Sequence, residues 1–290
     1  MAGGIAYMFH NLVYSLVGRA LRVIALAVAL AVGSACASMG RHDPGLRVLV
    51  FNIHAGKDAN GRPNLEDVAN LVRSASADVV LLQEVDRGTR RSGNVDQVER
   101  LSDATGLGSA FGKSLDYDDG QYGIAMLSRT GFSRSETHPL PIVPPQPRAG
   151  GAIEPRAALT AITPTALGTL FVVNTHLDAS GGDEYRLQES AHLLTIVRAV
   201  EADGNAVLVG GDFNAEPDSR VLDRLRAAGL RDAWLECGIG DGLTYPASKP
   251  VKRIDYLFLT GSLGCSSARV IDTEASDHRP LLVTVVTRTH

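Results

Sequence analysis

The sequence predicts one α/β domain that occupies most of the 290 residues. Short apolar runs of strand length recur from residue 46 to residue 286, and segments with helical spacing of apolar residues separate some of them. No shift in composition divides residues 46–287, and a hydrophobic content of 44% is enough for a large buried core. We therefore assign residues 46–290 to a single domain.

Eight apolar runs account for the predicted strands. Each is six to eight residues long and rich in aliphatic side chains, which is typical of strands in a buried sheet. In chain order they cover residues 46–52, 79–84, 122–128, 157–163, 169–176, 206–212, 254–260 and 281–286.

Three segments have the apolar spacing of helices. The first begins after Asn64, which we expect to cap it, and its apolar face is formed by Leu65, Val68, Leu71, Val72 and Ala75. The second covers residues 183–201, and the third follows Pro217. The Pro-rich segment 139–151 is predicted to be a long loop.

The first 37 residues have the pattern of an export signal. They contain no acidic residue, and Arg19 and Arg22 precede the apolar run 23–32, which small residues follow. Because this run is too short to span a bilayer as a helix, export is favoured over an uncleaved membrane anchor. Residues 38–45 are predicted to be a short linker to the domain.

Two modes of processing fit the end of this segment. Cys36 follows small residues, like the lipid-modified cysteine of a bacterial lipoprotein, although Gly33 stands where that pattern prefers Leu. Ala35 and Ala37 have the spacing that ordinary signal peptidase requires. The protein is therefore expected in the periplasm, anchored in the envelope, or secreted. Membrane association would come from an N-terminal lipid or an uncleaved signal, and no obligate protein partner is evident.

Charge and cysteine content narrow the expected partners. The net charge is −4, and an acidic surface is poor for tight, non-specific binding to a nucleic acid backbone. The basic runs 87–91 and 249–253 could steer an anion, but most such runs are only solvated surface. An oxidising compartment would permit a disulfide between Cys237 and Cys265, but the sequence alone leaves their pairing open.

Polar side chains stand where several of the predicted strands end or begin. They are Asn52, Glu84, His176, Asp212, Asn214, Asp255, Asp277 and His278. Strand ends on one side of a sheet converge in space, so we expect these residues to form one site. Glu84 follows the apolar run 79–83, where an unpaired carboxylate would be costly to bury, so a compensating cation is expected beside it.

These residue types favour hydrolysis of a phosphate ester. Carboxylates and carboxamides without paired cysteines suit Mg²⁺, with Mn²⁺ or Ca²⁺ as alternatives. No phosphate-binding loop, dinucleotide-binding glycine motif or serine hydrolase elbow is present in the sequence. A divalent metal with two histidines and an additional Asp fits the attack of water on a phosphate ester.

Seven motifs in order make the chain resemble the endonuclease/exonuclease/phosphatase superfamily, which includes DNase I-like nucleases, neutral sphingomyelinases and inositol-phosphate phosphatases. The motifs are 51-FNIH-54, 81-LLQEV-85, 122-YGIAMLSR-129, 174-NTHLD-178, 210-GGDFNAEP-217, 253-RIDYLF-258 and 276-SDHRPL-281. They are specific for the superfamily and far less specific for the substrate. The opening motifs are most similar to a bacterial subgroup related to the catalytic domain of a eukaryotic glycolipid-anchor remodelling protein.

The resemblance implies a four-layer αββα sandwich, made of two packed mixed sheets with helices on the outer faces. It implies that Asn52 and Glu84 hold the metal, with Asp277 near it. Asp212 and Asn214 would activate the attacking water and contact the phosphate. His278 would pair with the distant Asp255 rather than with its neighbour, and His176 would donate to a phosphoryl oxygen. Arg156 matches a substrate-binding position, with an ordinary surface role as the alternative.

The function expected from the whole sequence is an exported, metal-dependent phosphodiesterase. A phospholipid or glycolipid head group is the favoured substrate, and extracellular nucleic acid, cut by a DNase I-like endonuclease, is the first alternative. A phosphomonoesterase of the inositol-phosphate type is a second alternative. A non-catalytic binding module of the same fold is the alternative from another class, and the complete set of motif positions argues against it.

Overall fold

The protein is described from a computed structural model, which covers residues 45–144 and 154–288. The predicted signal, Cys36 and nearly all of the predicted linker lie outside these residues, as does part of the predicted Pro-rich loop. The strands are β1 Leu46–Asn52, β2 Val79–Arg87, β3 Gly108–Tyr117, β4 Gly120–Ser128, β5 Arg134–Leu140, β6 Arg156–Thr165, β7 Gly168–His176, β8 Val207–Asp212, β9 Arg231–Asp232, β10 Asp255–Leu259, β11 Leu263–Val270 and β12 Leu281–Thr287. The helices are α1 Leu65–Ser74, α2 Gln97–Thr105, α3 Glu184–Ala202, α4 Arg220–Ala227 and α5 Ala233–Cys237.

The strands form two mixed sheets of six strands each. The first sheet has the order β11-β12-β1-β2-β4-β3, and the second has the order β5-β6-β7-β8-β10-β9. Each sheet contains one parallel pair, β1 with β2 and β7 with β8, and its other neighbouring strands are antiparallel. In each sheet the parallel pair lies near the middle, so the ends of its strands are flanked by protein on both sides.

Alternation along the strands divides the interior into three apolar layers. Val48 and Val50 of β1 belong to the cluster between the two sheets, whereas Leu49 and Phe51 pack with α1 and α2 on the outer face of the first sheet. Helices α3 and α4 cover the outer face of the second sheet in the same way. The result is the four-layer sandwich that the sequence predicts.

All eight predicted strands and all three predicted helices are present. One detail of α1 is wrong, because Asn64 lies at the cap position but its side chain does not cap the helix. Its amide instead donates to the carbonyl oxygens of Ile53 (3.1 Å), Lys57 (2.8 Å) and Ala275 (2.5 Å). Asn64 therefore joins the segment after β1 to the segment before β12.

A disulfide links the two sheets at one edge. It joins Cys237, at the end of α5, to Cys265 in the edge strand β11, with the two Cα atoms 6.0 Å apart. Since α5 directly follows the edge strand β9, the bond connects an edge of one sheet to an edge of the other. Among the described residues, no helix is both long and apolar enough to cross a membrane.

Candidate active site

Strand ends from the second sheet bring three of the expected residues together. In the register of the sheet, Asp212 at the end of β8 lies opposite His176 at the end of β7 and opposite Asp255 at the start of β10. Asn214 follows two residues after Asp212, in a left-handed backbone conformation with φ of 47°. All three strand-end side chains are buried.

The first sheet contributes Asn52 from the end of a strand and Glu84 from a β-bulge. Asn52 ends β1, whereas Glu84 lies inside β2 at a shift of register against β4 between Leu82 and Val85. Such a bulge adds one unpaired residue and re-aims its side chain. Glu84 has a φ of 55°, a conformation that is costly for a residue with a Cβ atom.

Two glycines explain how the sheets approach one another here. A Cβ atom on Gly210 would lie 2.6 Å from a methyl group of Leu81 in the first sheet. A Cβ atom on Gly211, which has a φ of 143°, would overlap the carbonyl oxygen of Thr175 in β7. The Gly-Gly pair before Asp212 is therefore needed for strand packing.

Asp212 is the most connected residue of the site. Its Oδ2 atom accepts a hydrogen bond from Asn52 Nδ2 at 3.0 Å, and its Oδ1 atom accepts one from the backbone nitrogen of Asn214 at 2.9 Å. The Nε2 atoms of His176 and His278 each lie 3.6 Å from Oδ2. Burial raises the pKa of Asp212, and the nearby carboxylate of Asp255 raises it further.

His278 is held as a cation by two carboxylates. Its Nδ1 atom lies 2.9 Å from Asp255 Oδ2, so its hydrogen-bonding partner is the distant Asp255 rather than the adjacent Asp277. Burial alone lowers the pKa of His278, but the negative charges of Asp255 and Asp212 outweigh that effect and raise it. The ring of Tyr245 packs against the imidazole, with the two ring centroids 4.8 Å apart.

Arg156 is buried and fixes the second histidine. Its Nη1 atom lies 2.8 Å from His176 Nδ1 and 2.9 Å from Glu154 Oε1. A guanidinium can only donate, so Nδ1 of His176 is the acceptor. The other ring nitrogen, Nε2, lies 3.1 Å from Asn214 Nδ2 and 3.6 Å from Asp212 Oδ2. With 4% of its surface exposed, Arg156 is not an ordinary surface residue, and that alternative is wrong.

Two of the three ligands expected for a divalent cation, Glu84 and Asp277, fit this arrangement. Asn52 instead accepts a hydrogen bond on its Oδ1 atom from the backbone nitrogen of His54 at 3.1 Å. Asn52 Nδ2 donates to Glu84 Oε1 (3.1 Å) as well as to Asp212, so two carboxylates converge on one amide. Glu84 and Asp277 line the same cleft, and neither forms an ion pair with a Lys or Arg of the described residues. Hard oxygen donors without a cationic partner suit Mg²⁺, Mn²⁺ or Ca²⁺.

A second group of side chains also has the spacing of a metal site. One ligand atom each from Asp212, Asp255 and His278 lies within 4.8 Å of the others. In that group, however, the protonated His278 already supplies the positive charge that the two carboxylates require. The sequence names Asn52, Glu84 and Asp277 for the cation instead, and that assignment stays a prediction.

One cleft with a volume of about 920 Å³ is lined by most of the predicted site residues, namely Glu84, Arg156, His176, Asp212, Asn214, Asp277 and His278. Asn52 and Asp255 are buried and do not line it. The cleft is also lined by side chains for which the sequence predicts no role, namely Arg91, Tyr117, Tyr122, Arg186, Tyr245 and Lys252. Arg91 and Lys252 come from the two basic runs, 87–91 and 249–253. Their composition is visible in the sequence, but their position beside the site is not, because it depends on how distant strands pair.

A family model described as the Endonuclease/Exonuclease/phosphatase family matches residues 49–278, and the chain belongs to this family. Members of the family are divalent-metal-dependent hydrolases acting on phosphate esters, and so is this protein.

Two sequence relatives and one solved structure illustrate the range of the family. The uncharacterized protein YbhP of Escherichia coli K12 is 28% identical over 247 residues, which cover 81% of this chain and 94% of the relative. An inositol phosphosphingolipids phospholipase C of Schizosaccharomyces pombe is 26% identical over 205 residues, covering 66% of this chain and 46% of the relative. The mannosyl-6-phosphatase Bt3783 of Bacteroides thetaiotaomicron has the same fold, with a TM-score of 0.68, 19% identity, and coverage of 83% of this chain and 99% of that one.

Proposed function

We propose that this protein is an exported phosphodiesterase that hydrolyses the head-group phosphodiester of a phospholipid or glycolipid, using a divalent metal and in-line attack of water. The observation that carries the proposal is the composition of the cleft. Seven Asp and Glu residues line it, against four Arg and Lys residues. Such a surface is unfavourable for a long polyanion, whose binding depends on neutralising many phosphates.

The lining of the cleft by segments of both sheets is compatible with a diester, which carries a group on each of two ester oxygens. The walls of the cleft come from the β3–β4 hairpin of the first sheet and from the segments after β7 and β8 of the second sheet. The phospholipase C name of the fission yeast relative agrees with a lipid head group.

The protein groups have separable roles in this reaction. A divalent cation held by Asn52, Glu84 and Asp277 would neutralise charge on the phosphate when bound. Asp212 is the proposed base, because its raised pKa places a carboxylate close to the range in which it can take a proton from water. Asn214, fixed to the carbonyl oxygen of Leu177 at 3.0 Å, orients that water and contacts the phosphate.

The two histidines act on the phosphate itself. His278 carries a positive charge that Asp255 supports, and its Nε2 atom is the donor that stabilises charge developing on the reacting oxygens. His176, with its Nδ1 atom held by Arg156, donates from Nε2 to a phosphoryl oxygen. Arg156 thus positions His176 and adds positive charge behind it.

A substrate panel tests this proposal. The purified protein with Mg²⁺ is incubated with sphingomyelin vesicles, phosphatidylinositol vesicles, plasmid DNA and inositol 1-phosphate. We expect release of a phosphorylated head group from at least one lipid, and none from the same protein carrying His278→Ala. Cleavage of DNA alone would support the endonuclease alternative, and release of phosphate from the monoester alone would support the phosphomonoesterase. Lipid hydrolysis by the His278→Ala protein would contradict the assigned site.

Export is tested separately from chemistry. We propose that residues 1–37 direct the chain out of the cytoplasm, on the charge and hydropathy pattern described above. Fractionation of cells that produce the full chain should place it outside the cytoplasm. If membranes retain the unaltered chain but release the Cys36→Ala chain, the result favours a lipid anchor on Cys36. If both chains stay in the cytoplasm, the result contradicts export.

A further inference from the structure

We propose that Arg91, Tyr117 and Tyr122 form a head-group subsite that binds a polyhydroxylated ring, such as inositol or a hexose, and disfavours a quaternary ammonium head group. This inference rests on the proposed phosphodiesterase function and names the substrate class within it. All three side chains line the cleft that contains Asp212 and His278.

A buried carboxylate holds Arg91 in place. Its Nε and Nη2 atoms donate to the two oxygens of Asp86 at 2.8 and 2.7 Å, and Asp86 is fully buried. Thr89 donates to the same carboxylate at 2.7 Å. This two-point contact occupies one edge of the guanidinium, and Nη1 forms no hydrogen bond to any described residue. The remaining N–H groups are therefore available to a ligand, in an orientation fixed by Asp86.

Tyr122 provides an unpartnered polar group beside the catalytic residues. It is 8% exposed, and within residues 45–144 and 154–288 its hydroxyl group has no hydrogen bond. Burial raises the pKa of Tyr122 well above its usual value, and the nearby Glu84 raises it further, so the hydroxyl group stays protonated. The Tyr122 side chain lines the cleft, so its hydroxyl group can exchange a hydrogen bond with a ligand hydroxyl there.

Tyr117 completes the subsite at its outer end. The Arg91 guanidinium carbon lies 4.6 Å from the centre of the Tyr117 ring and 5.2 Å from the centre of the Tyr122 ring. Tyr117 is 42% exposed, and its hydroxyl group also lacks a partner within the part of the chain that the structure describes. The three residues therefore present two phenolic hydroxyls and a planar set of guanidinium donors to the cleft.

This chemistry selects between kinds of head group. A ring with vicinal hydroxyls can accept from the guanidinium and exchange hydrogen bonds with both phenols. A quaternary ammonium has no donor or acceptor, and it is recognised by open aromatic faces. Here the guanidinium of Arg91 already covers one face of each tyrosine ring, so these faces are not open to a quaternary ammonium.

Three soluble diesters with the same leaving group test the subsite. They are the 4-nitrophenyl phosphodiesters of inositol and of choline, together with bis(4-nitrophenyl) phosphate, and release of nitrophenolate is measured with Mg²⁺ present. We expect kcat/KM for the inositol ester to exceed that for the choline ester by about tenfold or more, which is the effect of one or two hydrogen bonds. Efficient cleavage of the choline ester in preference to the inositol ester would overturn the subsite.

Variants identify the groups that cause this preference. Tyr122→Phe removes one hydroxyl and keeps the ring, and we expect it to lower the inositol-to-bis(4-nitrophenyl) ratio of kcat/KM by about tenfold. Arg91→Lys, which keeps the charge but loses the planar fork, should lower the same ratio. Arg87→Met is the matched control, because Arg87 lies over the Phe111 ring at 5.6 Å and pairs with Asp96 at 2.7 Å, yet does not line the cleft.

The outcomes distinguish a failure of the head-group subsite from a failure of the proposed phosphodiesterase function. A protein that cleaves lipid or soluble diesters with an inositol ratio that Tyr122→Phe and Arg91→Lys leave unchanged keeps its proposed function and loses the subsite. A protein that cleaves none of the diesters and none of the lipids loses both. Thermal unfolding of each variant shows whether a reduced ratio accompanies an intact fold, and Tyr122→Phe decides the matter if Arg91→Lys is unstable.

Discussion

The two sides of the cleft are built in different ways. On the second-sheet side, Arg156, His176, Asp212 and Asp255 are buried and sit in strands with regular register. On the first-sheet side, Glu84 lies in a bulge, Arg91 follows Thr89 in a short 3-10 turn, and Asp277 lies in the segment before β12. The buried side fixes charges and donors rigidly, as stabilisation of a transition state requires. The irregular side supplies the groups proposed to contact a metal and a head group. It also supplies His278, which is buried and faces Asp212 and Asp255.

Removal of the proposed base should have the largest effect. Asp212→Ala is expected to lower kcat by roughly two or more orders of magnitude on every substrate, because both base catalysis and the charge that faces the histidines are lost. Asp103→Ala, on the outer helix α2, is the matched control. An Asp212→Ala protein with normal turnover would show that the buried side is not the catalytic side.

The same variant should not be less stable. Since burial and Asp255 raise the folded-state pKa of Asp212, ionisation of this group opposes folding once the pH exceeds its unfolded value. Asp212→Ala is therefore expected to keep or raise the melting temperature at neutral pH, measured by thermal unfolding. A large loss of stability would mean that the residue serves mainly as a structural link.

Weakening the metal site should lower activity less than the loss of Asp212 does, and added metal should restore that activity. Glu84→Gln is expected to raise the Mg²⁺ concentration for half-maximal activity by roughly tenfold or more, because one anionic oxygen ligand becomes neutral. Chelation should abolish activity in both proteins, and Mg²⁺ should restore it. The Glu66→Gln protein, altered at an exposed position of α1, should behave like the unaltered protein. An unchanged Mg²⁺ requirement in Glu84→Gln would place the metal elsewhere, with Asp212, Asp255 and His278 as the next candidates.

Asp255→Asn should change how activity depends on pH. Burial favours neutral His278, and the carboxylates of Asp255 and Asp212 overcome this and raise its pKa to about 10. Without the Asp255 charge that pKa falls, so the alkaline limb of the kcat profile should move to lower pH. The loss of activity should therefore be larger at pH 9 than at pH 6. The paired His278 also contributes stability that is complete below pH about 6.5 and is lost as the pH rises toward about 10. Parallel pH profiles of kcat for the Asp255→Asn protein and the unaltered protein would contradict a role for charged His278 in the reaction.

The sequence predicts the central strands of both sheets better than their edge strands, for a physical reason. Strands β1, β7, β8 and β12 are buried along almost their whole length, so their apolar composition is visible, and so is the polar residue at the end of β1, β7 and β8. The edge strands β3 and β5 are largely exposed and contain Lys, Asp and Arg, so their hydropathy does not distinguish them from loops. They exist because they pair with β4 and β6.

Contacts between segments that are distant in the chain are a second feature that the sequence does not predict. Glu84 is recognisable from the sequence as a carboxylate after an apolar run, but its bulge depends on register against β4. Arg91 and Tyr117 are 26 positions apart and meet only because their segments fold toward one cleft. Asn64 likewise has the sequence of a helix cap and instead bonds to a carbonyl oxygen 211 residues away. Such contacts depend on the whole topology, which no local pattern contains.

The disulfide tests whether the two sides of the cleft depend on a covalent link. Cys237→Ala with Cys265→Ala removes a bond that closes a loop of 28 residues and joins the edges of the two sheets. Loop entropy predicts a loss of about 3.6 kcal/mol in the free energy of unfolding, with a lower melting temperature. We expect kcat to be almost unchanged, because neither cysteine lines the cleft, and the apolar layer between the sheets, with Val50 and Leu81 on one side and Leu208 and Leu257 on the other, already sets their spacing. A fall in kcat well below the melting temperature would mean that the covalent bond positions one side of the site against the other.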